Sequence, residues 1–127
     1  MAATVDTEIV YAEVTRMPVQ KVAQELNESL GATLVSVLAG SKDPKISYKW
    51  AKPAGPHPRD EAKKRLQLAL RAWRIVSTSE GADVARMWFL GANPWLGEVS
   101  PVEAIGHDRS KEVMEAAMAM VEDRFAG

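Results

Sequence analysis

Six polar side chains close together in the chain are of the types that proteins use to contact nucleic acid. Lysine ammonium groups pair with phosphates, and serine and tyrosine hydroxyls hydrogen-bond to phosphates or base edges. The stretch therefore predicts a DNA-binding surface, with the alternative that its lysines only solvate the face of a helix. The six residues are Lys42, Lys45, Ser47, Tyr48, Lys49 and Lys52.

Two short helices are predicted to position these side chains. Residues 32–39 favour a helix, residues 40–43 a glycine-containing turn, and residues 45–52 a second helix in which Ile46 and Trp50 lie four apart and face the core. Helix, turn and helix in this order are the layout of a helix-turn-helix DNA-binding unit. Two packed helices with a solvated basic face would give the same pattern, and that alternative stays open.

Residues suited to enzyme chemistry are scarce. His57 lies in a proline-rich run, and His107 directly precedes Asp108, a spacing that does not place an imidazole against a carboxylate. The sequence contains no cysteine, which excludes disulfides and thiolate metal sites. No glycine-rich phosphate loop or metal-ligand spacing is evident. We therefore expect no enzyme activity, no bound metal and no cofactor.

Charge is distributed unevenly along the 127 residues. Residues 40–78 hold ten basic and three acidic side chains, whereas residues 79–127 hold four basic and nine acidic ones. A basic middle and an acidic end suggest two partner surfaces of opposite preference. No apolar run reaches the roughly 18 residues of a membrane span, and the acidic N-terminal stretch is unlike a signal peptide. We expect a cytoplasmic protein without membrane contact.

The regular elements are predicted to be helices, and the expected fold class is all-α. Residues 1–15 are the exception, because their β-branched content favours a short edge strand or a tail. We divide the chain into an N-terminal tail (1–16), a helix-turn-helix part (17–58) and a C-terminal helical part (59–127). A long helix is expected from about Arg59 to Val76, followed by one of the serines of residues 77–79 as the cap of a helix over residues 80–90.

Residues 87–105 are predicted to form the end of one helix, an ordered turn and the start of another. Gly91 is expected to end the first helix in the left-handed conformation. Ser100, Pro101 and Glu103 form a capping box for the second helix.

The turn itself contains two bulky apolar residues, which have two possible roles. Trp95 and Leu96 are bulky and apolar within a loop, so they either pack on the protein's own core, against Trp88 and Ile105, or contact a partner. In the preceding helix we expect an inner face made of four residues, Val84, Met87, Trp88 and Leu90.

The ordered motifs of this stretch also carry a family resemblance. Trp88 is followed by Asn93-Pro94, Leu96-Gly97 and Ser100-Pro101. This order resembles the toxin-binding domain of MbcA/ParS/Xre antitoxins, over roughly residues 60–127. The piece Tyr48-Lys49-Trp50-Ala51-Lys52 is similar to the end of the Xre-like recognition helix that often precedes that domain.

The resemblance implies a function and its partners. These antitoxins neutralise RES-domain toxins, which destroy NAD, by covering the entrance to the NAD pocket, and they bind operator DNA as autorepressors. Such a protein acts as a homodimer or a toxin–antitoxin hetero-oligomer. There are two alternatives. The protein could be a stand-alone helix-turn-helix regulator without a toxin, or an interaction module that no longer binds DNA. The residues that the resemblance makes candidates for toxin contact are Trp95, Leu96, Asp123, Arg124 and Phe125, with packing of Phe125 on Val121 as the alternative for that side chain.

Overall fold

The computed structural model describes the backbone of residues 5–126 and the side chains of residues 5–122. Over these residues the chain forms helices and no strand, which confirms the all-α prediction. The α-helices are α1 (Thr7–Arg16), α2 (Val19–Leu30), α3 (Ala32–Leu38), α4 (Ile46–Trp50), α5 (Asp60–Glu80), α6 (Ala82–Leu90), α7 (Pro101–Gly106) and α8 (Ser110–Ala126), with a 3₁₀ turn at Pro94–Leu96 between α6 and α7.

Helix α1 replaces the strand or tail that was expected within residues 1–15, so the prediction of a strand is wrong. The Asp6 carboxylate caps the helix by accepting hydrogen bonds from the N–H groups of Glu8 (3.0 Å) and Ile9 (3.1 Å). Val14 is fully buried, and α1 packs against α5. A local cap and tertiary packing together outweigh the modest strand preference of the β-branched residues.

Helix α5 extends past its predicted end. It continues through residues 77–79 to Glu80 and stops at Gly81, whose φ of 88° lies in the left-handed region. Glycine adopts that conformation without the steric penalty of a side chain. No serine caps α6, so that prediction was wrong. The helix continues because Ser79 is itself buried and extends the inner face of α5.

One hydrophobic core connects the helices of the described chain. It runs from Val14 of α1 to Val121 of α8, and α5 contacts every other helix except α4 with several residues. Arg74 of α5 also forms ion pairs with Glu13 of α1 (3.1 Å) and Glu25 of α2 (2.6 Å). The hydrogen bonds that Arg74 donates to the Glu25 carboxylate raise the pKa of Arg74, so its guanidinium stays charged. The segments 17–58 and 59–127 therefore share one core.

The turn between α6 and α7 is ordered by its own polar groups. The Ser100 hydroxyl accepts from the Glu103 N–H (3.1 Å) and Pro101 occupies the first helical turn, as predicted for the start of α7. The buried Asn93 side chain accepts from the Trp95 N–H at 2.9 Å. Gly91, expected to be left-handed, is extended with a φ of −85°, and Gly97 takes the left-handed conformation instead, with a φ of 67°.

Candidate functional site

Helices α2, α3 and α4 pack against one another and form a three-helix unit around the predicted DNA-binding stretch. The turn from α3 to α4 is held by the Asp43 carboxylate, which accepts from the Lys45 N–H at 2.9 Å. Helix α4 covers Ile46–Trp50, so it is shorter than the predicted 45–52. Trp50 is buried and Ile46 packs on the core, as their four-residue spacing predicted.

Ser47 does not lie on the surface with the other predicted DNA-binding residues. Its side chain is fully buried, and its hydroxyl donates to the Asn27 Oδ1 at 2.6 Å. Its N–H donates to the Ser36 hydroxyl (3.0 Å), and its carbonyl accepts from the Asn27 side-chain amide (2.9 Å). The assignment of Ser47 to DNA contact was wrong, because its polar groups are all used to fasten α4 to α2 and α3.

The remaining predicted DNA-binding side chains are exposed. Lys45, Tyr48, Lys49 and Lys52 are spaced at three and four residues, so they share one side of α4 and its flanking turns, and Tyr48 is 59% exposed. Lys42 is exposed in the preceding turn. Over the described residues none of these four lysines forms an ion pair with a carboxylate. The outer face of α4 is therefore basic, carries one phenol and is open to a partner.

The loop residues Trp95 and Leu96 have opposite environments. Trp95 is 62% exposed, whereas Leu96 is only 1% exposed and belongs to the core. Arg109, directly before α8, donates to the Leu96 carbonyl (3.1 Å), which holds the loop against the start of α8. The assignment of Leu96 to partner contact was wrong, because the 3₁₀ turn points it inward and leaves only Trp95 outside.

Helix α6 presents an apolar surface that the sequence interpretation assigned to the core. Its inner residues are Ala85, Trp88 and Phe89, and Phe89 contacts the rings of Trp88 and Trp73 at centroid distances of 5.0 and 6.2 Å. Three residues assigned to the inner face are exposed instead. They form what we call the α6 apolar stripe, Val84 (39% exposed), Met87 (72%) and Leu90 (61%).

The apolar stripe was missed because α6 has two apolar faces. Residues 85, 88 and 89 repeat with helical spacing, but so do residues 84, 87 and 90. Hydrophobicity alone does not decide which of these two faces is buried. The two aromatic rings at positions 88 and 89 bury more area than the residues of the stripe, which decides the orientation.

Three further candidates for toxin contact belong to the end of α8. Asp123, Arg124 and Phe125 are within helix α8, but their side chains lie outside the described residues.

The two histidines, His57 and His107, are exposed. Within the described residues no group of His, Cys, Asp or Glu has an arrangement suited to a metal ion. None of the described helices has both the length and the apolar character needed to cross a bilayer.

Comparisons with family models, with curated proteins and with solved structures found no match to this chain.

Proposed function

We propose that the protein is the antitoxin of a type II toxin–antitoxin pair, which binds operator DNA as an autorepressor and neutralises a RES-type NAD-degrading toxin by direct contact. The observation that carries the proposal is the two-sided character of α4. Ser47 and Trp50 anchor one side in the protein, and the other side presents Tyr48 and Lys49 to solvent. A recognition helix needs this combination of a fixed inner side and a polar outer side.

The DNA-binding residues have distinct roles in this proposal. Tyr48 and Lys49 contact base edges or phosphates from the exposed side of α4, and Lys42, Lys45 and Lys52 neutralise phosphates around it. Helix α4 has five residues, so one copy supplies few contacts. We expect two copies to bind two half-sites, since paired recognition helices are how helix-turn-helix proteins gain affinity.

The toxin-binding half of the proposal is supported by the exposed apolar residues. The α6 apolar stripe and Trp95 lie within the segment whose motifs resemble the toxin-binding domain, and each is open to solvent. Large exposed apolar side chains in one segment are a common feature of protein interfaces, and tryptophan is enriched among residues that dominate binding energy. In this proposal Asp123, Arg124 and Phe125 reach the entrance of the NAD pocket.

DNA binding is tested with the double variant Lys45→Ala/Lys49→Ala. We expect it to bind the DNA upstream of its gene more weakly than the parent. The plot of log affinity against log salt concentration should lose about two units of slope, roughly one for each phosphate contact removed. Lys21→Ala/Lys111→Ala is the matched control, because it removes the same charge from exposed residues outside α4. If the two double variants bind DNA with equal affinity, the assignment of α4 to DNA binding is refuted.

Toxin binding is tested by co-expression with the RES-domain protein encoded beside this one. The parent should restore growth and co-purify with that protein. Trp95→Ala should bind it at least about 30-fold more weakly, the loss typical of a dominant interface residue. Ile9→Ala is the control, since Ile9 is exposed to a similar extent (54%) on α1. If the parent binds DNA but does not restore growth, the protein is a stand-alone regulator and the antitoxin proposal fails.

A further inference from the structure

Arg71 is the arginine of α5 that has no carboxylate partner. Its two neighbours on the helix are paired: Arg65 binds Asp108 through two hydrogen bonds of 2.9 Å, and Arg74 binds Glu13 and Glu25. The Nε of Arg71 is buried and has no hydrogen-bond partner, the one such side-chain atom among the described residues. Burial without a partner is costly for a polar group and more so for a charged one.

The charge of Arg71 is nevertheless retained. Desolvation lowers the pKa of Arg71, but a guanidinium stays protonated over the whole physiological range. Its central carbon lies 4.9 Å from the centroid of the Tyr11 ring, a cation–π contact that offsets part of the desolvation cost. No carboxylate of the described residues acts on this pKa. A half-buried cation is thus held against the Tyr11 ring without a carboxylate partner among the described residues.

This cation lines a cleft of about 470 Å³ between α1, α5 and the start of α8. The volume is in the range of sites for small ligands. Helix α8 begins at Ser110, on the wall of the cleft, so the positive end of its dipole lies nearby. Besides Arg71 and Ser110, its polar and charged lining residues are Tyr11, Glu61, Lys64, Arg65, Gln67 and Asp108.

The lining carries three cations and two carboxylates, so its net charge is +1. Arg65 and Asp108 neutralise each other through their ion pair. The charge of Glu61 helps to raise the pKa of Arg65, and the charge of Lys64 helps to lower the pKa of Asp108. Lys64 is exposed and forms no ion pair among the described residues. Lys64 and Arg71 are therefore the two lining cations without an ion pair among the described residues, and the oxygens of a phosphate monoester suit both.

We propose that this cleft binds a small phosphate monoester, whose phosphoryl oxygens accept hydrogen bonds from Arg71 and pair with Lys64. Gln67 and Ser110 supply further hydrogen-bonding groups, and the Tyr11 ring covers the guanidinium. A terminal phosphate suits this cleft better than a nucleic-acid backbone, because a diester continues on both sides of each phosphate and carries one charge rather than two. The inference does not depend on the antitoxin proposal.

The test is an NMR titration of the full chain with phenyl phosphate and with inorganic phosphate. We expect saturable shifts of the amides of Tyr11, Gln67, Arg71 and Ser110, with benzenesulfonate, which carries a single charge, binding more weakly. Arg71→Gln should weaken phenyl phosphate binding about tenfold or more, the loss expected for a charge-assisted bidentate contact. Lys63→Gln is the matched control, since Lys63 is exposed on the same helix and does not line the cleft, and it should stay within about twofold of the parent.

A stability measurement separates a binding role from a structural one. Arg71→Met keeps the long apolar stem and removes the unpaired charge, so without ligand its melting temperature should equal or exceed that of the parent. A clear decrease would show that Arg71 is needed for folding and would overturn the proposal. The absence of saturable shifts, equal binding by Arg71→Gln and the parent, or shifts confined to residues 45–52 would each overturn it as well.

Discussion

Replacement of Ser47 by alanine distinguishes a structural residue from a DNA-reading one. The change removes the hydroxyl that donates to Asn27 Oδ1 at 2.6 Å and leaves that oxygen without its partner. The hydrogen bonds that the Ser47 backbone makes with Ser36 and Asn27 remain, because alanine keeps both the N–H and the carbonyl. The side chain is fully buried and α4 has few other anchors, so the effect should appear in the stability of the whole chain.

The size of the effect follows from these contacts. A lost hydrogen bond with one buried partner left unsatisfied costs about 1–3 kcal/mol. Asn27 is only partly buried, so water replaces some of the loss, and alanine is favoured over serine in a helix by about 0.5 kcal/mol. We expect Ser47→Ala to lower the free energy of unfolding by about 1–2 kcal/mol. For a chain of this length that corresponds to about 4–8 °C in melting temperature.

Urea denaturation and thermal unfolding measure this difference. Thr33→Ala is the control, because Thr33 is an exposed hydroxyl of the neighbouring helix α3, and its replacement should be neutral or slightly stabilising. A double-mutant cycle with Asn27→Ala should give a coupling energy of about 0.5 kcal/mol or more between the two residues. An unchanged melting temperature combined with weaker DNA binding would refute the reasoning, since it would place the hydroxyl on the DNA-facing side.

Two further predictions concern the loop residues Trp95 and Leu96 and the ion pair between Arg65 and Asp108. Leu96→Ala should destabilise the protein by about 2–5 kcal/mol because Leu96 is 1% exposed, whereas Trp95→Ala should change stability by less than about 0.5 kcal/mol; equal losses in urea denaturation would contradict this. The hydrogen bonds from Arg65 hold the pKa of Asp108 below its ordinary value. The Asp108 carboxylate therefore stabilises the fold at pH values above its unfolded-state pKa of about 3.9. This stabilisation is lost as the pH falls through the lower pKa of the folded state. Asp108→Asn should therefore lower the melting temperature slightly at pH 7, and the difference from the parent should vanish in acid. A difference in melting temperature that does not depend on pH would refute this role of Asp108. The effect is small because the Asp108 side chain is 58% exposed.

The parts of the fold that sequence predicted well are those with a local cause. The start of α7 at Pro101 follows from Ser100, whose hydroxyl caps the helix, and the inward positions of Ile46 and Trp50 follow from their four-residue spacing. The exposure of Tyr48 follows from its position on the opposite side of the same helix.

The errors concern features that depend on distant partners. Ser47 is a polar residue in a buried position, and only Asn27, twenty residues earlier, makes that burial acceptable. Leu96 turns inward because the core provides a place for it next to α8, which no local rule encodes. The long extent of α5 reflects burial of Ser79 against other helices.

The passage of α5 through a single shared core has a consequence for how the molecule responds to its partners. Because the described helices share one core of this size, we expect them to unfold together as one cooperative unit. A ligand that binds only the native state then raises the free energy of global opening for every amide whose exchange requires it. If α4 binds DNA as proposed, hydrogen exchange in α8 should slow in the complex, even though α8 itself does not contact the DNA.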